Sequence, residues 1–244
     1  MHNSLRFSID SWSAWAPGLE SPEAWQDWYD EGQELPVTEG VPNVRDLPTG
    51  LRRRLSLLGK MALRVGLDAG QADTVRIVFS SRYGNVSQML QLLQTMAVDD
   101  PISPTGFGMS VHNSLVGMLS IVTKNVQSQT AIAAGSESFC MGLIEALGLL
   151  AENPDEAVML IHCDDVLPEF YAPFQDKSVQ QCALALVITS QESAKKNLTL
   201  DFDGELTGSG RGDPLVSFLK FMIGDHENWS WTGAQGKWSC QNHV

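Results

Sequence analysis

Thr130-Ala131-Ile132-Ala133-Ala134-Gly135-Ser136-Glu137-Ser138-Phe139-Cys140 is the stretch on which the fold turns. Its apolar start predicts a strand over 130–134. Small residues follow, and a helical pattern runs from 136 to 150. Strand, tight turn and helix in that order hold a nucleophile above a sheet edge in several enzyme classes, with the side chain at a helix N-terminus. Here the slot holds Ser136 with no base nearby in the sequence, so a catalyst's scaffold is present and its chemistry is open.

Outward from this turn, strands and helices alternate. Apolar runs predict strands over 75–80, 157–161, 182–189 and 198–202, and an apolar–polar alternation predicts a first strand over 5–9. Helical periodicity marks 51–65, with Leu51, Leu55, Leu58, Ala62 and Val65 on one stripe. It marks 86–98, with Met89, Leu90, Leu93 and Met96 on one face. It also marks 107–124, with Val111, Leu115, Met118, Leu119 and Val122, and finally 214–223. The pattern predicts a layered α/β fold, a mixed sheet flanked by helices. Residues 12–50 are rich in Trp and Pro, and Trp25 and Trp28 at i, i+3 predict a short helix that buries both. Arg52, Arg53, Arg54, Lys60 and Arg64 make 51–65 the one basic element, either a solvated face or a docking patch. Residues 228–244 are polar with three Trp and have no assigned element, so the chain divides into 1–203 and a C-terminal extension over 204–244.

The net charge of −13 argues against a nucleic-acid partner. No apolar stretch approaches the ~18 residues of a membrane helix, and the N-terminus lacks the apolar core of a secretory signal. Cys140, Cys163, Cys182 and Cys240 form no CxxC pair and predict reduced, buried thiols. A cytoplasmic protein is expected, in which Asn197-Leu198-Thr199 and Arg211-Gly212-Asp213 are loop and strand-edge composition only.

Neither GxSxG nor a Walker A sequence occurs. His112 and His162 are the mid-chain histidines able to complete a Ser–His–Asp arrangement. For a metal, His162 with Asp164 and Asp165, or His226 with Cys240 and His243, are the candidate groups. Neither has a ligand spacing that points to a metal, so no metal and no cofactor are expected.

Residues 73–165 resemble the N-terminal half of the β-ketoacyl synthases, within the thiolase-like fold. More narrowly, they are similar to the short chain length factor subunits of aryl polyene, type II polyketide-like clusters. The residues that carry the resemblance are Val78-Phe79-Ser80-Ser81-Arg82-Tyr83-Gly84, then 103–113, then Gly117-Met118-Leu119-Ser120-Ile121. The turn 134–138, Gly142-Leu143-Ile144-Glu145-Ala146 and 158–165 complete it. Ser110-Val111-His112-Asn113 is the most specific run.

In active synthases this turn carries a Cys that accepts the acyl chain. An ungapped match places Ser136 there, and a shifted match places Ala134. A Ser hydroxyl is a weak nucleophile without a strong base. Cys140 lies one helical turn on, as a possible reactive thiol that points elsewhere. The catalytic histidines of the family belong to a second half of the fold that this chain ends before completing. The resemblance therefore implies a non-catalytic, chain-length-determining subunit that pairs as a heterodimer with a catalytic β-ketoacyl synthase in polyene, polyketide or fatty-acid-like elongation. The alternative is a stand-alone acyltransferase or thioesterase using Ser136 or Cys140. Under the first reading Phe107, Met109, Ser110, Val111, His112 and Asn113 belong to the interface or acyl tunnel, the bulk of Phe107, Met109 and Val111 limiting product length. The competing reading is that they are helix core. Carrier proteins are acidic, so this acidic chain is expected to meet them only indirectly, through its partner.

Overall fold

The computed structural model describes residues 4–98, 100–176, 178–191, 196–210 and 212–243. Arg211 of the Arg-Gly-Asp triplet and Val244 lie outside them. An eight-stranded sheet forms the centre. Its strands are β1 (Leu5–Trp15), β2 (Arg76–Ser80), β3 (Gln129–Ile132), β4 (Val158–Asp164), β5 (Cys182–Thr189), β6 (Lys196–Asp203), β7 (Asn228–Thr232) and β8 (Lys237–His243). The spatial order is β3-β2-β4-β5-β1-β6-β8-β7. β2 runs parallel to β3 and β4; every other pairing is antiparallel.

The helices are α1 (Pro22–Asp30), α2 (Thr49–Arg52), α3 (Leu57–Ala69), α4 (Val86–Ala97), α5 (Pro104–Ser110), α6 (Ser114–Thr123), α7 (Ser138–Glu152) and α8 (Pro214–Ile223). The central strands alternate between two cores. Val158 and Leu160 of β4, with Leu184, Leu186 and Ile188 of β5, face α7, α8 and α1. Met159, Ile161 and Cys163, with Ala183, Ala185 and Val187, face α3 and α6. α3 lies close to the sheet because Gly66 has no side chain: a Cβ there would sit 2.9 Å from Ile161 Cδ1 and from Leu119 Cδ2. α1 begins at a Ser21 cap followed by Pro22 and buries Trp25 and Trp28 edge to face, as their spacing predicts.

The structure corrects several expected spans. β1 continues six residues beyond 9, because a bulge between Ile9 and Ser11 resets the alternation. Phe7 and Ile9 face the α7 core; after the bulge Ala14 faces the same core while Trp15 turns to the other. The helix expected over 51–65 is two. α2 ends at Arg52, and α3 starts afresh with Ser56 Oγ accepting from Gly59 N. The helix expected over 107–124 is likewise two, broken where Val111 is extended (φ −74°, ψ 149°). The expected apolar face of α4 is largely exposed: only Leu90 is buried, while Met89, Leu93 and Met96 are open to solvent. Residues 228–243 form the β7–β8 hairpin, which extends the central sheet through β6.

Candidate functional site

The turn after β3 is built to hold one side chain outward. Gly135 has φ +58°, a left-handed conformation that favours glycine. Ser138 fixes both sides of the turn, its Oγ accepting from Ala134 N at 3.0 Å and donating to Gly135 O at 2.8 Å. Glu137 points inward and is buried. Its carboxylate accepts from Gln235 N at 2.7 Å and from Trp238 Nε1 at 3.2 Å, so the β7–β8 hairpin clamps the turn from behind. Ser136 is left half-buried at the mouth of a small polar cavity, which it shares with Arg82, His162, Asp164, Asp176 and Asp213.

His162, which lines the same cavity, is the base a Ser136 nucleophile would need. Its Nδ1 bonds Ser80 Oγ at 2.8 Å and its Nε2 lies 3.3 Å from Asp164 Oδ2. Phe139 packs edge-on against the ring. Asp164 is held in turn: its Oδ1 accepts from Ser81 Oγ and from Arg82 N, both at 2.8 Å. Ser80, His162 and Asp164 are thus buried together between β2 and β4, with the ring's Nδ1 hydrogen-bonded to Ser80 and its Nε2 at ion-pair distance from Asp164. Asp213 caps α8, accepting from Leu215 N at 2.8 Å. Burial pushes its carboxyl up to about 6, with His162 opposing the shift.

Cys140, the possible reactive thiol, is buried. It is 1% exposed in the α7 core, and burial first, then Glu137 and Asp213, push its thiol well above the usual range. Cys163, Cys182 and Cys240 are also buried and unpaired. The two metal trios do not assemble. Among the described residues no group of three His, Cys, Asp or Glu side chains could hold an ion. His226 instead bonds Tyr29 Oη, and His243 bonds Thr199 Oγ1. No helix among the described residues is long and apolar enough to cross a membrane.

The residues expected at an interface or tunnel separate into two sets. Phe107 (61% exposed) and Val111 (43%) point outward, and Asn113 is exposed at the start of α6. Met109 is buried in the α3–α6 core, so it reaches no outside surface. Ser110 is half-buried, its Oγ donating to Phe107 O. His112 turns inward: its Nε2 donates to Ile132 O at 3.0 Å and its ring packs on Phe79. That bond ties the α5–α6 junction to the last residue of β3, which is the open edge of the sheet. Met89, Leu93 and Met96 of α4, a helix packed against α5, are exposed as well. Helical periodicity finds this α4 stripe as one face, but period alone does not distinguish core from interface. The roles of Glu137 and Asp213 were not expected from the sequence. Asp213 carries a signal, an Asp directly before a helix-opening Pro; Glu137 carries none.

The beta-ketoacyl synthase N-terminal domain model matches residues 25–241. No match was found among curated protein sequences. Among solved structures, a ketosynthase in complex with its chain length factor from Xenorhabdus doucetiae is similar, with 29% identity and a TM-score of 0.85; 97% of this chain and 99% of that chain are covered. The ishigamide ketosynthase/chain length factor aligns at 14% identity and TM-score 0.64, over 81% of this chain and 67% of that one. A β-ketoacyl synthase from Burkholderia phymatum aligns at 13% and 0.61, over 91% and 71%. The mixed sheet between helical layers is thus the thiolase-like fold of these enzymes, and the chain belongs to the β-ketoacyl synthase N-terminal domain family.

Proposed function

We propose that this chain is a non-catalytic subunit that pairs with a catalytic β-ketoacyl synthase and limits product length in polyene- or polyketide-type elongation. The observation that carries the reading is a fully built nucleophile turn that presents a serine and not a cysteine. Ser136 shares its cavity with His162, whose Nδ1 is bonded to Ser80 and whose Nε2 lies beside Asp164, and the thiol of Cys140 is buried. Two further features support it. β3 is an end strand of the sheet, and exposed Phe107, Val111, Met89, Leu93 and Met96 lie on α4 and at the α5–α6 junction, which His112 ties to Ile132, apolar surface suited to a partner. The ketosynthase–chain length factor complex aligns along nearly the whole of this chain.

In this reading Phe107 and Val111 reach across the interface and close the floor of the partner's acyl tunnel; Met109 supports them from within. Phe107→Ala removes bulk without disturbing the core, and the expected result is longer products or a broader spread from an intact complex. Unchanged product lengths from an intact complex would remove the tunnel role. A second reading, acyl transfer or hydrolysis at Ser136, draws on the cavity Ser136 shares with His162, Asp164 and Asp213. It requires His162 to leave Ser80 or Asp164. Intact mass after exposure to acyl thioesters tests it, and an adduct on Ser136 would establish it over the first.

A further inference from the structure

The C-terminal residues do more than extend the sheet: they also wall the nucleophile turn. Gly210, Gly212, Asp213 and Pro214 line the cavity at whose mouth Ser136 lies, together with Arg82, His162 and Asp164. That cavity measures about 20 Å³. A buried water needs roughly 10–15 Å³ of such space, so there is room for a single water. Even an acetyl group is larger.

The wall is fastened along its length. Gly208 N donates to Gly233 O at 2.8 Å and Gly210 N to Thr232 O at 3.0 Å, which binds the backbone leading into the wall to the end of β7. Gly210 has φ +60°, and a Cβ there would sit 3.0 Å from Trp231 Cζ2, so the chain passes this indole closely because it is glycine. Trp231 is itself buried in the α7–α8 core, and its Nε1 donates to Gly212 O at 3.2 Å. Asp213 is held as the cap of α8, and Pro214 opens that helix. The β7–β8 hairpin also grips the turn, through Gln235 N and Trp238 Nε1 on Glu137. Moving the wall therefore means breaking bonds to the same hairpin that holds the turn.

We infer that Gly210, Gly212, Asp213 and Pro214 exclude acyl groups from the turn by shape, so that the turn is silenced by closure as well as by its serine. The inference deepens the non-catalytic reading above and rests on it. Its consequence is that a thiol restored at position 136 stays unloaded. In acyl loading a thiolate attacks the thioester carbonyl. A new carbon–sulfur bond forms, the donor's carbon–sulfur bond breaks, and the donor thiol leaves with a proton from solvent, replacing the one the attacking thiol gave up. The tetrahedral carbon and its acyl tail need space beside residue 136, where the wall stands. Asp213 is the wall residue whose side chain can be cut back. Asp213→Ala takes its carboxylate out of the cavity, whereas Asp213→Asn removes the charge and keeps the size.

The test is the intact mass of the full chain, alone and in its synthase complex, after incubation with the acetyl thioester of N-acetylcysteamine. All four native cysteines are buried, so the wild-type chain should gain no mass. Ser136→Cys is compared with Ser230→Cys, which puts a thiol on the exposed face of β7. Thermal melts establish that each variant is folded. The expected result is that Ser136→Cys gains acetyl at least about tenfold more slowly than Ser230→Cys. Adding Asp213→Ala to Ser136→Cys should speed loading at least about tenfold, and adding Asp213→Asn should change it by less than about twofold. Loading of Ser136→Cys as fast as Ser230→Cys, no gain with Asp213→Ala, or an equal gain with Asp213→Asn would each overturn the inference. Should Asp213→Ala fail to fold, the comparison of the two single cysteine variants decides alone. Acetylation of the wild-type chain at Ser136 overturns the non-catalytic reading; rapid loading of Ser136→Cys beside an inert wild type overturns this inference alone.

Discussion

The two edges of the sheet are finished differently. At one end β7 closes the sheet as part of a tight hairpin. Its inward residues, Trp229 and Trp231, are buried, and its outward residues, Asn228 and Ser230, are polar and exposed. At the other end β3 is four residues long and half-buried throughout, and the α5–α6 junction that His112 ties to it, with α4 packed on α5, carries exposed Phe107, Val111, Met89, Leu93 and Met96. A monomer avoids an unpaired strand edge bordered by apolar side chains, because it templates association. Both are end strands; the 208–210 segment bonds the end of β7 (Gly208 N to Gly233 O at 2.8 Å, Gly210 N to Thr232 O at 3.0 Å), whereas in the proposed pairing another molecule completes the β3 edge. The nucleophile turn bridges them: it begins where β3 ends and is held by the β7–β8 hairpin through Glu137.

The largest expected effect is at the finished edge. Trp238→Ala empties a buried site and removes an indole donor from Glu137, and should cost about 3–5 kcal/mol in denaturant unfolding. A loss below ~1 kcal/mol would mean the hairpin is an appendage and the two edges are alike. At the open edge, Phe107→Asp should weaken the synthase complex by about ten- to a hundredfold. Because Phe107 is 61% exposed, folding stability should change by less than ~0.5 kcal/mol. A large destabilisation would place Phe107 in the core and not at an interface.

The turn between the edges carries a pH signature. Asp213 has a folded pKa of about 6, above its ordinary 3.8, so the native state holds its proton more tightly than the unfolded chain does. Its contribution therefore falls as pH rises from about 4 to about 6, and the cost is fully present above that window. Asp213→Asn keeps a side-chain oxygen to cap α8 and removes the titration. The variant should gain about 1–3 kcal/mol over wild type at pH 7, with the gap closing near pH 4 in paired thermal melts. A gap independent of pH would mean that burial does not perturb this carboxyl. The smallest expected effect is none: Ser136→Ala should leave product yield and length unchanged in the reconstituted complex.

Much of this was legible in the sequence, and the failures have physical causes. The strand–turn–helix at 130–150 and the strands around it read directly, because buried strands are short apolar runs. The helix over 214–223 reads from its helical periodicity. β1 was cut short at Ile9 because a bulge removes the period of two on which the reading depends. The breaks at Arg53–Ser56 and Val111–Asn113 were hidden by apolar residues that keep helical spacing across them, although Ser56 is a capping residue in plain view. The hairpin was missed although Trp229, Trp231, Trp238 and Cys240 alternate with polar residues on each side of a Gly-rich turn. Around the candidate site, Ser136 and Phe107 were placed from the resemblance. The bond from Ser80 to His162, the inward turn of Met109 and the burial of Cys140 depend on packing between segments distant in sequence, which no local pattern encodes.

The central claim is that the β3 edge is completed by a catalytic synthase. Native mass spectrometry of this chain purified from its own host tests it most directly. The account predicts a one-to-one complex with a full-length β-ketoacyl synthase that Phe107→Asp dissociates. A stable homo-oligomer without a synthase, unchanged by Phe107→Asp, would contradict it.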